Sequence, residues 1–555
     1  MREPRIRPWP RWAVLCAGWM TMATAEPAEF HVCDCASGAA PACVAGDDAA
    51  VGSAAAPWRG YERGRAAFAS LAAGDAVLFC RGGAWDINGA GERWVNGQCQ
   101  PAQRCRIGAY LPTGGAADAP KPLLRRLDGD DGFSLADGGS AEQEAGYRIE
   151  GLALQSTTQL GNGIFLQNDV DDVVISDVRI DGFYIGVYLA GSNACSADPD
   201  CDGRNERIVL EDSELTNNHF SGWLGASNDS MILNSLFVGN GTNETFDHNV
   251  YLSDTAGSPV SGMRVIGNRL YQAALDAQGV CRAVSLVVHG VHDDLLIEGN
   301  EVWEDVGQVA GGCWGIAVDP GYGSDPEAFT QIVIRGNVVR NVGNQAIGVA
   351  SCSQCTIENN LIIQEQPASS FRSVGIAAPN RQRQSNDLPL DAVRIRNNSI
   401  WFGPASGGTG IRLGGEGDEH LLASNVVVAA GGAAFDCFEL DTDPLAYLDS
   451  DHNQCFAPSA APFEWADDVG SLAQWQTLTG LDGQSELLDP GYTDPAAYDL
   501  RPATATVSMV DRGHPLHSSS SDYLGHARDA APDRGAFEWL GEALHVDGFE
   551  ADAPR

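Results

Sequence analysis

Lysine is almost absent from this 555-residue chain, and positive charge of any kind is scarce. Lys121 is the single lysine, and 34 basic residues stand against 74 acidic ones, for a formal net charge of −40. A surface this acidic repels nucleic acid and anionic membranes, so neither is expected as a partner. It also repels polyanionic polysaccharides at long range, unless calcium or a local group of arginines intervenes.

Long apolar runs are also missing, except at the start of the chain. Four arginines precede an apolar run over 12–23, and Ala23-Thr24-Ala25 closes this segment. This is typical of a secretory signal peptide cleaved after Ala25, and no later stretch has the length of a membrane span. We therefore expect a monomer that is exported to the bacterial periplasm or medium.

Of the 15 cysteines, Cys16 lies in the signal segment, and the even number that remains predicts disulfides in an exported chain. Proximity suggests the pairs Cys99–Cys105, Cys195–Cys201, Cys352–Cys355 and Cys437–Cys455, and Cys281–Cys313 between neighbouring repeats. Cys33, Cys35, Cys43 and Cys80 are expected to pair among themselves. A redox or zinc motif at Cys352-x-x-Cys355 is the alternative, but no second cysteine pair and no helix signal accompany it.

Two short phrases recur between about residues 147 and 435. The first is an alternating apolar pair, then Gly or Asn, then Asn or Ser, then another alternating pair, with copies at Ser213, Ser235, Asn268, Asn300, Asn337, Asn360, Asn398 and Asn425. The second is a Gly or polar residue followed by alternating apolar residues, with copies that begin at 163, 186, 249, 285, 315, 375 and 410. Alternation with a period of two predicts short strands with one face inward.

Strands this short cannot each bury a face alone, but stacking them in successive coils does so. Asn at a corner suits a tight bend with positive φ, and stacked Asn side chains can hydrogen-bond from coil to coil. An antiparallel β-sandwich also has alternating strands, but its turn signals do not recur at one place in a repeated phrase. The repeats therefore predict an all-β solenoid, a right-handed parallel β-helix.

Both ends of the chain carry further motifs. The segment 46–83, with Gly46-Asp47-Asp48 and Ala72-Ala73-Gly74-Asp75, resembles the amino-terminal cap of exported bacterial parallel β-helix proteins of the pectate-lyase-like superfamily. Asp511-Arg512-Gly513 and Asp533-Arg534-Gly535 resemble the carboxy-terminal closing segment of the same group. The resemblance implies the following division: signal peptide 1–25, cap and first coils 26–145, repeats 146–435, final coils and closing segment 436–540, acidic tail 541–555.

The resemblance implies a carbohydrate-active protein but no single reaction, because lyases, hydrolases, epimerases, esterases and adhesins share this coil. A lysine-based lyase is disfavoured, since Lys121 precedes the repeats. The Asn-x-Asp strand of pectinase-like hydrolases and the Asp-Pro-His-Glu segment of alginate epimerases find no match. Our leading hypothesis is a polysaccharide lyase acting on a uronate-containing polymer; the alternatives are a non-catalytic, adhesin-like carbohydrate-binding protein and a glycoside hydrolase.

The second phrase supplies the sheet that would face a substrate groove. With Val250 and Leu252 inward, alternation turns Tyr251 outward, and the same count turns out His289 and Asp319 on the next two coils. Arg282 and Asp254 are expected at the rim of this face. An arginine that offsets a substrate carboxylate, a His or Tyr that takes a proton, and a Tyr that protonates the leaving oxygen are the parts of a β-elimination site. Asp319 is predicted to orient the base.

Three further residues are candidates for this face. By alternation His248 points inward or into a bend, where a structural role is favoured over that of a base, although it stays a catalytic candidate. Trp223 and Trp314 lie in or beside the relevant strands and are expected to contact sugar, together with Asp254.

A possible cation site lies outside this face. Asp198, Asp200 and Asp202 alternate and precede Gly203, like the start of a calcium-binding loop, so Ca²⁺ is the cofactor expected. The twelfth position is Val209 rather than Glu, so Glu206 or Glu211 has to substitute. The alternative is a solvated acidic loop held by a disulfide.

Overall fold

The computed structural model describes residues 27–136, 144–191, 203–242, 246–253, 259–323, 325–368, 371–441, 448–459, 461–466 and 468–541. The predicted signal peptide, the predicted Cys195–Cys201 pair and the acidic tail beyond residue 541 lie outside the described residues. Among the described residues, no helix is both long and apolar enough to cross a bilayer.

Most described strands belong to three long sheets, two with 14 strands and one with 13. Sheet 1 contains Glu29–Val32, Ala76–Cys80, Cys105–Tyr110, Glu144–Glu150, Val170–Ser176, Val209–Glu211, Met231–Leu233, Arg264–Ile266, Leu296–Glu298, Val333–Arg335, Thr356–Glu358, Arg394–Arg396, His420–Ala423 and Leu448–Asp451. Sheet 2 contains Ala84–Ile87, Leu123–Arg126, Ala153–Ser156, Arg179–Asp181, Glu214–Thr216, Leu236–Val238, Arg269–Tyr271, Glu301–Trp303, Val338–Arg340, Leu361–Gln364, Ser399–Phe402, Val426–Ala429, Gln454–Phe456 and Glu486–Leu487. Sheet 3 contains Phe133–Ala136, Asn162–Gln167, Ile185–Ala190, Ser221–Leu224, His248–Ser253, Leu286–His289, Ile316–Val318, Gln345–Val349, Ser373–Ala378, Gly408–Leu413, Phe435–Leu440, Phe463–Trp465 and Asp468–Gly470.

The remaining elements are short. A four-stranded sheet lies beside the long ones, a two-stranded antiparallel pair lies near the carboxy terminus, and two helices and one 3₁₀ turn complete the described chain. They are Val260–Ser261, Val291–Asp293, Ala328–Thr330 and Cys352–Ser353; Tyr492–Asp494 and Asp499–Pro502; helices Tyr61–Phe68 and Leu472–Thr479; and the turn Pro495–Ala497.

The chain visits the three long sheets in rotation. One coil runs through Leu296–Glu298 in sheet 1, Glu301–Trp303 in sheet 2 and Ile316–Val318 in sheet 3, and Val333–Arg335 then returns to sheet 1. Each strand of this coil pairs in parallel with the strand one coil further on. Parallel strands joined by such crossovers take the right-handed connection. The chain is a right-handed parallel β-helix, which confirms the predicted fold.

The core is a set of aligned apolar columns inside the coils. In sheet 1, Val265, Ile297, Ile334, Ile357 and Ile395 pair with one another in register on successive coils, and each is at most 1 % exposed. Burying one such side chain contributes roughly 1.5–3 kcal/mol. The columns therefore hold the coils together, although each coil contributes only a few residues.

A ladder of buried asparagines runs along the corner between sheets 1 and 2. Its members donate from Nδ2 to the Oδ1 of the next member: Asn268, Asn300, Asn337, Asn360, Asn398, Asn425 and Asn453. The predicted coil-to-coil bonds are thus confirmed, but the positive φ belongs to the preceding residue, such as Gly299 at 65° or Asn359 at 54°. We had assigned both the positive φ and the coil-to-coil hydrogen bond to one asparagine. In the structure, the preceding residue forms the bend and the asparagine forms the hydrogen bond.

The two helices lie at the ends of the coil. Helix Tyr61–Phe68 lies against the first strands, where a side chain on its Gly64 would come 3.0 Å from Val32. Helix Leu472–Thr479 buries Trp475 against Phe463, with ring centroids 5.5 Å apart. One helix therefore lies within the predicted amino-terminal cap, and a second helix packs against the final coils.

The carboxy-terminal segment lies along the side of the coil. Leu500, Met509 and Phe537 are buried against outward-facing residues of sheet 2, including Trp401 and Val428. We expected this segment to close the coil, but it covers an apolar outer face that the last strands of sheet 2 would otherwise expose.

The described disulfides agree with the predicted pairs. They are Cys33–Cys80, Cys35–Cys43, Cys99–Cys105, Cys281–Cys313, Cys352–Cys355 and Cys437–Cys455. Cys352 and Cys355 are thus a structural pair rather than a zinc site.

Candidate functional site

A cleft of about 220 Å³ opens on the outer face of sheet 3, across the strands His248–Ser253, Leu286–His289 and Ile316–Val318. Its walls are Phe246, His248, Val284, Val287, His289, Gly312, Trp314, Ala317, Asp319, Pro320, Gly321 and Arg381. Four of the predicted site residues therefore meet in one place.

The orientation of the His289 ring is fixed by a backbone carbonyl. Nδ1 lies 2.6 Å from the carbonyl oxygen of Asp319. A carbonyl oxygen only accepts, so Nδ1 carries a proton, and Nε2 of the neutral ring keeps its lone pair. No hydrogen bond to Nε2 is found among the described residues, and the ring lines the cleft. This is the arrangement that a general base needs.

Tyr251 lies between the two histidines of the cleft. Its ring centroid is 5.0 Å from that of His248 and 5.6 Å from that of His289, in both cases edge to face. The outward position of Tyr251 follows from the alternation of its strand, because Val250 and Leu252 are fully buried. The Tyr251 ring therefore packs against both histidines, although it is not itself part of the cleft wall.

His248 occupies a break in the alternation of the same strand. Asn249 takes the interior place and donates to Ser285 Oγ, so His248 turns to the cleft wall and its Nδ1 lies 2.7 Å from the carbonyl oxygen of Val284. Burial lowers the pKa of His248 to about 3, which keeps the ring neutral. His248 is thus buried at the start of its strand rather than in a bend, and it lines the cleft.

Asp319 and Arg381 form an ion pair at the edge of the cleft. The Asp319 side chain is 9 % exposed and that of Arg381 43 %, so the arginine presents its donors to solvent. Burial raises the pKa of Asp319 to about 6, against the opposing effect of Arg381. The Asp319 carboxylate therefore binds Arg381, and it is the backbone of Asp319 that orients His289, contrary to our expectation for its side chain.

Arg282 does not supply the cation of this cleft. Its Nε donates to Asp276 at 2.8 Å, and the guanidinium does not line the cleft walls. Arg381 takes that place from a loop that follows strand Ser373–Ala378, two coils beyond Ile316–Val318. We had placed Arg282 at the rim because it is close in sequence to His289, but a short ion pair within its own loop holds it elsewhere.

The two tryptophans have different positions. Trp314 is half-buried in the cleft wall, and its indole donates to the Gly311 carbonyl at 2.9 Å. Trp223 is 0 % exposed, pairs in register with the inward Val250, and donates to the Gly225 carbonyl at 2.8 Å. Our expectation that Trp223 contacts sugar is therefore wrong, because the alternation of its strand places it in the core.

Matched substitutions separate these two positions. Trp223→Phe removes the indole donor and leaves a gap, so we expect the free energy of unfolding to fall by about 2 kcal/mol. Trp314→Ala should leave chemical denaturation almost unchanged and weaken retention on a polysaccharide affinity gel. Equal destabilisation by the two variants would contradict the assignment of Trp314 to the cleft wall.

The remaining candidates lie outside the described residues. These are Asp254 at the predicted rim and the calcium candidates Asp198, Asp200 and Asp202. Within the described part of the chain, two groups have metal-binding geometry: one consists of three disulfide-bonded cysteines, and the other contains two such cysteines and Glu304. Those sulfurs are not thiolates, so neither group is a metal site, and the calcium site stays a prediction.

No protein-family model matches the chain, and no curated protein matches it. Several solved structures are similar to it. The A-module of mannuronan C-5 epimerase AlgE6 from Azotobacter vinelandii has 14% identity and a TM-score of 0.49, and the match covers 71% of this chain and 96% of that one. Pectate lyase Pel9A has 12% identity and a TM-score of 0.43, with 92% and 97% covered. No residue role follows from similarities this low.

Proposed function

We propose that the protein is a carbohydrate-active enzyme, a polysaccharide lyase that cleaves a uronate-containing polymer by β-elimination. The observation that carries the proposal is that a histidine with an available Nε2 and a half-exposed arginine line one cleft, while a tyrosine ring packs 5.6 Å from that histidine. Scattered polar residues would instead have favoured a surface that only binds.

Each group has a place in the elimination. The Arg381 guanidinium offsets the charge of the uronate carboxylate, which makes the proton on C5 more acidic. Nε2 of His289 takes that proton, the electron pair forms the C4–C5 double bond, and the C4–O bond breaks. Tyr251 donates a proton to the departing oxygen and regains one from solvent. The products are an unsaturated uronate and a new chain end, with no water consumed.

The charges in the cleft favour this reaction over hydrolysis. Among the described residues of the cleft wall, Asp319 is the one carboxylate and Arg381 the one permanent cation. A glycoside hydrolase of the usual type needs two carboxyl groups that flank the bond to be cleaved. One buried carboxylate that is already paired with arginine does not meet that requirement.

The test uses purified protein with alginate, pectate and glycosaminoglycans, with and without calcium. A lyase product is followed by the ultraviolet absorbance of its double bond. We expect His289→Ala to lower the rate at least about 100-fold, the minimum usual for the loss of a general base. His219→Ala is the matched control, because His219 is also a partly exposed histidine next to sheet 3 but lies outside the cleft wall.

Other outcomes identify the alternatives. New reducing ends without the absorbance would indicate a hydrolase. Retention of a polymer without any cleavage, unaffected by His289→Ala, would indicate the adhesin-like protein and overturn the proposal.

A further inference from the structure

Glu327 is a buried acid beneath the cleft whose function the sequence does not suggest. Its side chain is 0 % exposed, and Oε1 lies 3.5 Å from Nδ1 of His289. We infer that Glu327 acts through this base: the Asp319 carbonyl fixes the ring with Nδ1 protonated, and the Glu327 carboxylate stabilises the imidazolium that forms when Nε2 takes a proton. The inference rests on the proposed function of His289.

The Glu327 carboxylate is held rigidly by the backbone. It accepts from the N–H of Gly290 at 2.8 Å and from the N–H groups of Gly321 and Tyr322, both at 2.5 Å. The backbone N–H of Glu327 in turn donates to Asp387 Oδ1 at 2.9 Å. Three amide donors therefore fix the position of this carboxylate beneath the ring.

The loop that carries two of these amide donors packs directly against the His289 ring. A side chain at Gly321 would lie 2.5 Å from Cε1 of the His289 ring, so a glycine is needed for the loop that carries the amide donors to approach the ring. The other carboxylate nearby, Asp319, is paired with Arg381. Glu327 is therefore the anion that remains for His289.

Apart from Asp319 and Arg381, the titratable groups around His289 are two histidines and two tyrosines. Burial lowers the pKa of His292, whose Nε2 lies 3.0 Å from the His289 carbonyl, to about 4, and that of His248 to about 3. Tyr251 and Tyr322 contact the ring with centroids 5.6 and 5.5 Å away. None of these four groups replaces the charge of Glu327 at neutral pH.

The proton inventory of the step is simple. Before the reaction Nδ1 carries a proton that faces the Asp319 carbonyl and Glu327, and Nε2 is bare. The substrate proton adds to Nε2, which gives an imidazolium 3.5 Å from a buried carboxylate. Solvent screens such a pair weakly, so the carboxylate strengthens the base. The Nδ1 proton does not leave.

The test measures proton binding by each histidine without any substrate. Exchange of the imidazole C2 hydrogen, resolved for each histidine by mass spectrometry, is recorded against pH for the full chain and for Glu327→Gln. We expect the midpoint at His289 to fall by about one pH unit, which is a tenfold loss of proton affinity. Glu358→Gln is the matched control: Glu358 is another buried glutamate, 8% exposed, that accepts from the Arg396 guanidinium at 2.8 Å and lies outside the cleft wall. It should leave His289 unchanged.

Glutamine at 327 removes the charge, but its amide NH₂ group also faces the backbone N–H donors and can disturb the loop. A second variant separates these two effects. Glu327→Asp keeps the charge and should retain most of the normal midpoint. An unchanged midpoint in Glu327→Gln, or an equal fall in Glu327→Gln and Glu327→Asp, would overturn the inference. Because no substrate is present, the result stands even if the chain shows no lyase activity; where there is activity, the acidic limb of its pH profile should move with the midpoint.

Discussion

Replacement of Asn337 by leucine is expected to lower the free energy of unfolding by at least about 4 kcal/mol, because it strands several buried polar groups at about 1–3 kcal/mol each. Asn337 Oδ1 accepts from both the backbone N–H and Nδ2 of Asn300, each at 2.9 Å. Its Nδ2 donates to the Ile297 carbonyl and to Asn360 Oδ1, both at 3.0 Å. Leucine satisfies none of these groups and must also fit a site shaped for an amide.

Chemical denaturation followed by circular dichroism measures this loss. Asn88→Leu is the matched control, because Asn88 is exposed and lies outside the ladder. Each coil contacts mainly its neighbours, so the loss of the ladder bonds at Asn337 can also split a single unfolding transition into two. The same midpoint for Asn337→Leu and Asn88→Leu would show that the ladder contributes no net stability.

The ladder also shows why the fold could be predicted from the sequence. The phrase around Asn300 and Asn337 recurs because each coil has the same two requirements. One is a residue with positive φ at the bend, and the other is a side-chain amide that bonds to the next coil. Alternation of apolar residues then fixes which face of each strand is buried. Local rules repeated many times specify a solenoid, so the coils and their register could be read without the structure.

The same rules explain which site residues could be predicted. Tyr251 and His289 lie on consecutive strands of sheet 3, and Asp319 directly follows the next strand, Ile316–Val318, so counting in twos is sufficient. The count also indicates that Trp223 is inward, since Gly222-Trp223 aligns with Asn249-Val250. We had judged Trp223 by residue type rather than by position, and position decides.

Arg381 and Glu327 could not be predicted in this way. Both lie in loops between strands, and Arg381 crosses two coils to reach Asp319. The hydrogen-bond partners of the Glu327 carboxylate are the backbone N–H groups of Gly290, Gly321 and Tyr322. Every residue except proline has such a group, so no sequence motif marks Glu327. Loop lengths vary from coil to coil, so the sequence does not reveal which loop residues meet.

Replacement of Glu304 by glutamine is expected to stabilise the protein at high pH and to have little effect near pH 5. Burial raises the pKa of Glu304 to about 8, from an ordinary value of 4.5. The folded state therefore holds its proton at pH values where the unfolded chain has released it. No stability is lost below about pH 4.5, and between there and pH 8 this group costs up to about 1.4 kcal/mol per pH unit. Glutamine resembles the protonated acid and does not titrate.

The measurement is the difference in free energy of unfolding between Glu304→Gln and the unsubstituted chain at pH 5, 7 and 9. We expect it to rise from near zero to several kcal/mol, with a ceiling of about 5 kcal/mol set by the pKa change. Burial also raises the pKa of Asp171 to about 6 and of Asp533 to about 7, so both proteins lose stability as pH rises, and only the difference isolates Glu304. Glu214→Gln, at an exposed position on sheet 2, is the control and should show no trend. A difference that is constant from pH 5 to 9 would mean that Glu304 is ionised in the fold throughout, and that the Ala273 amide and its other donors fully offset its burial.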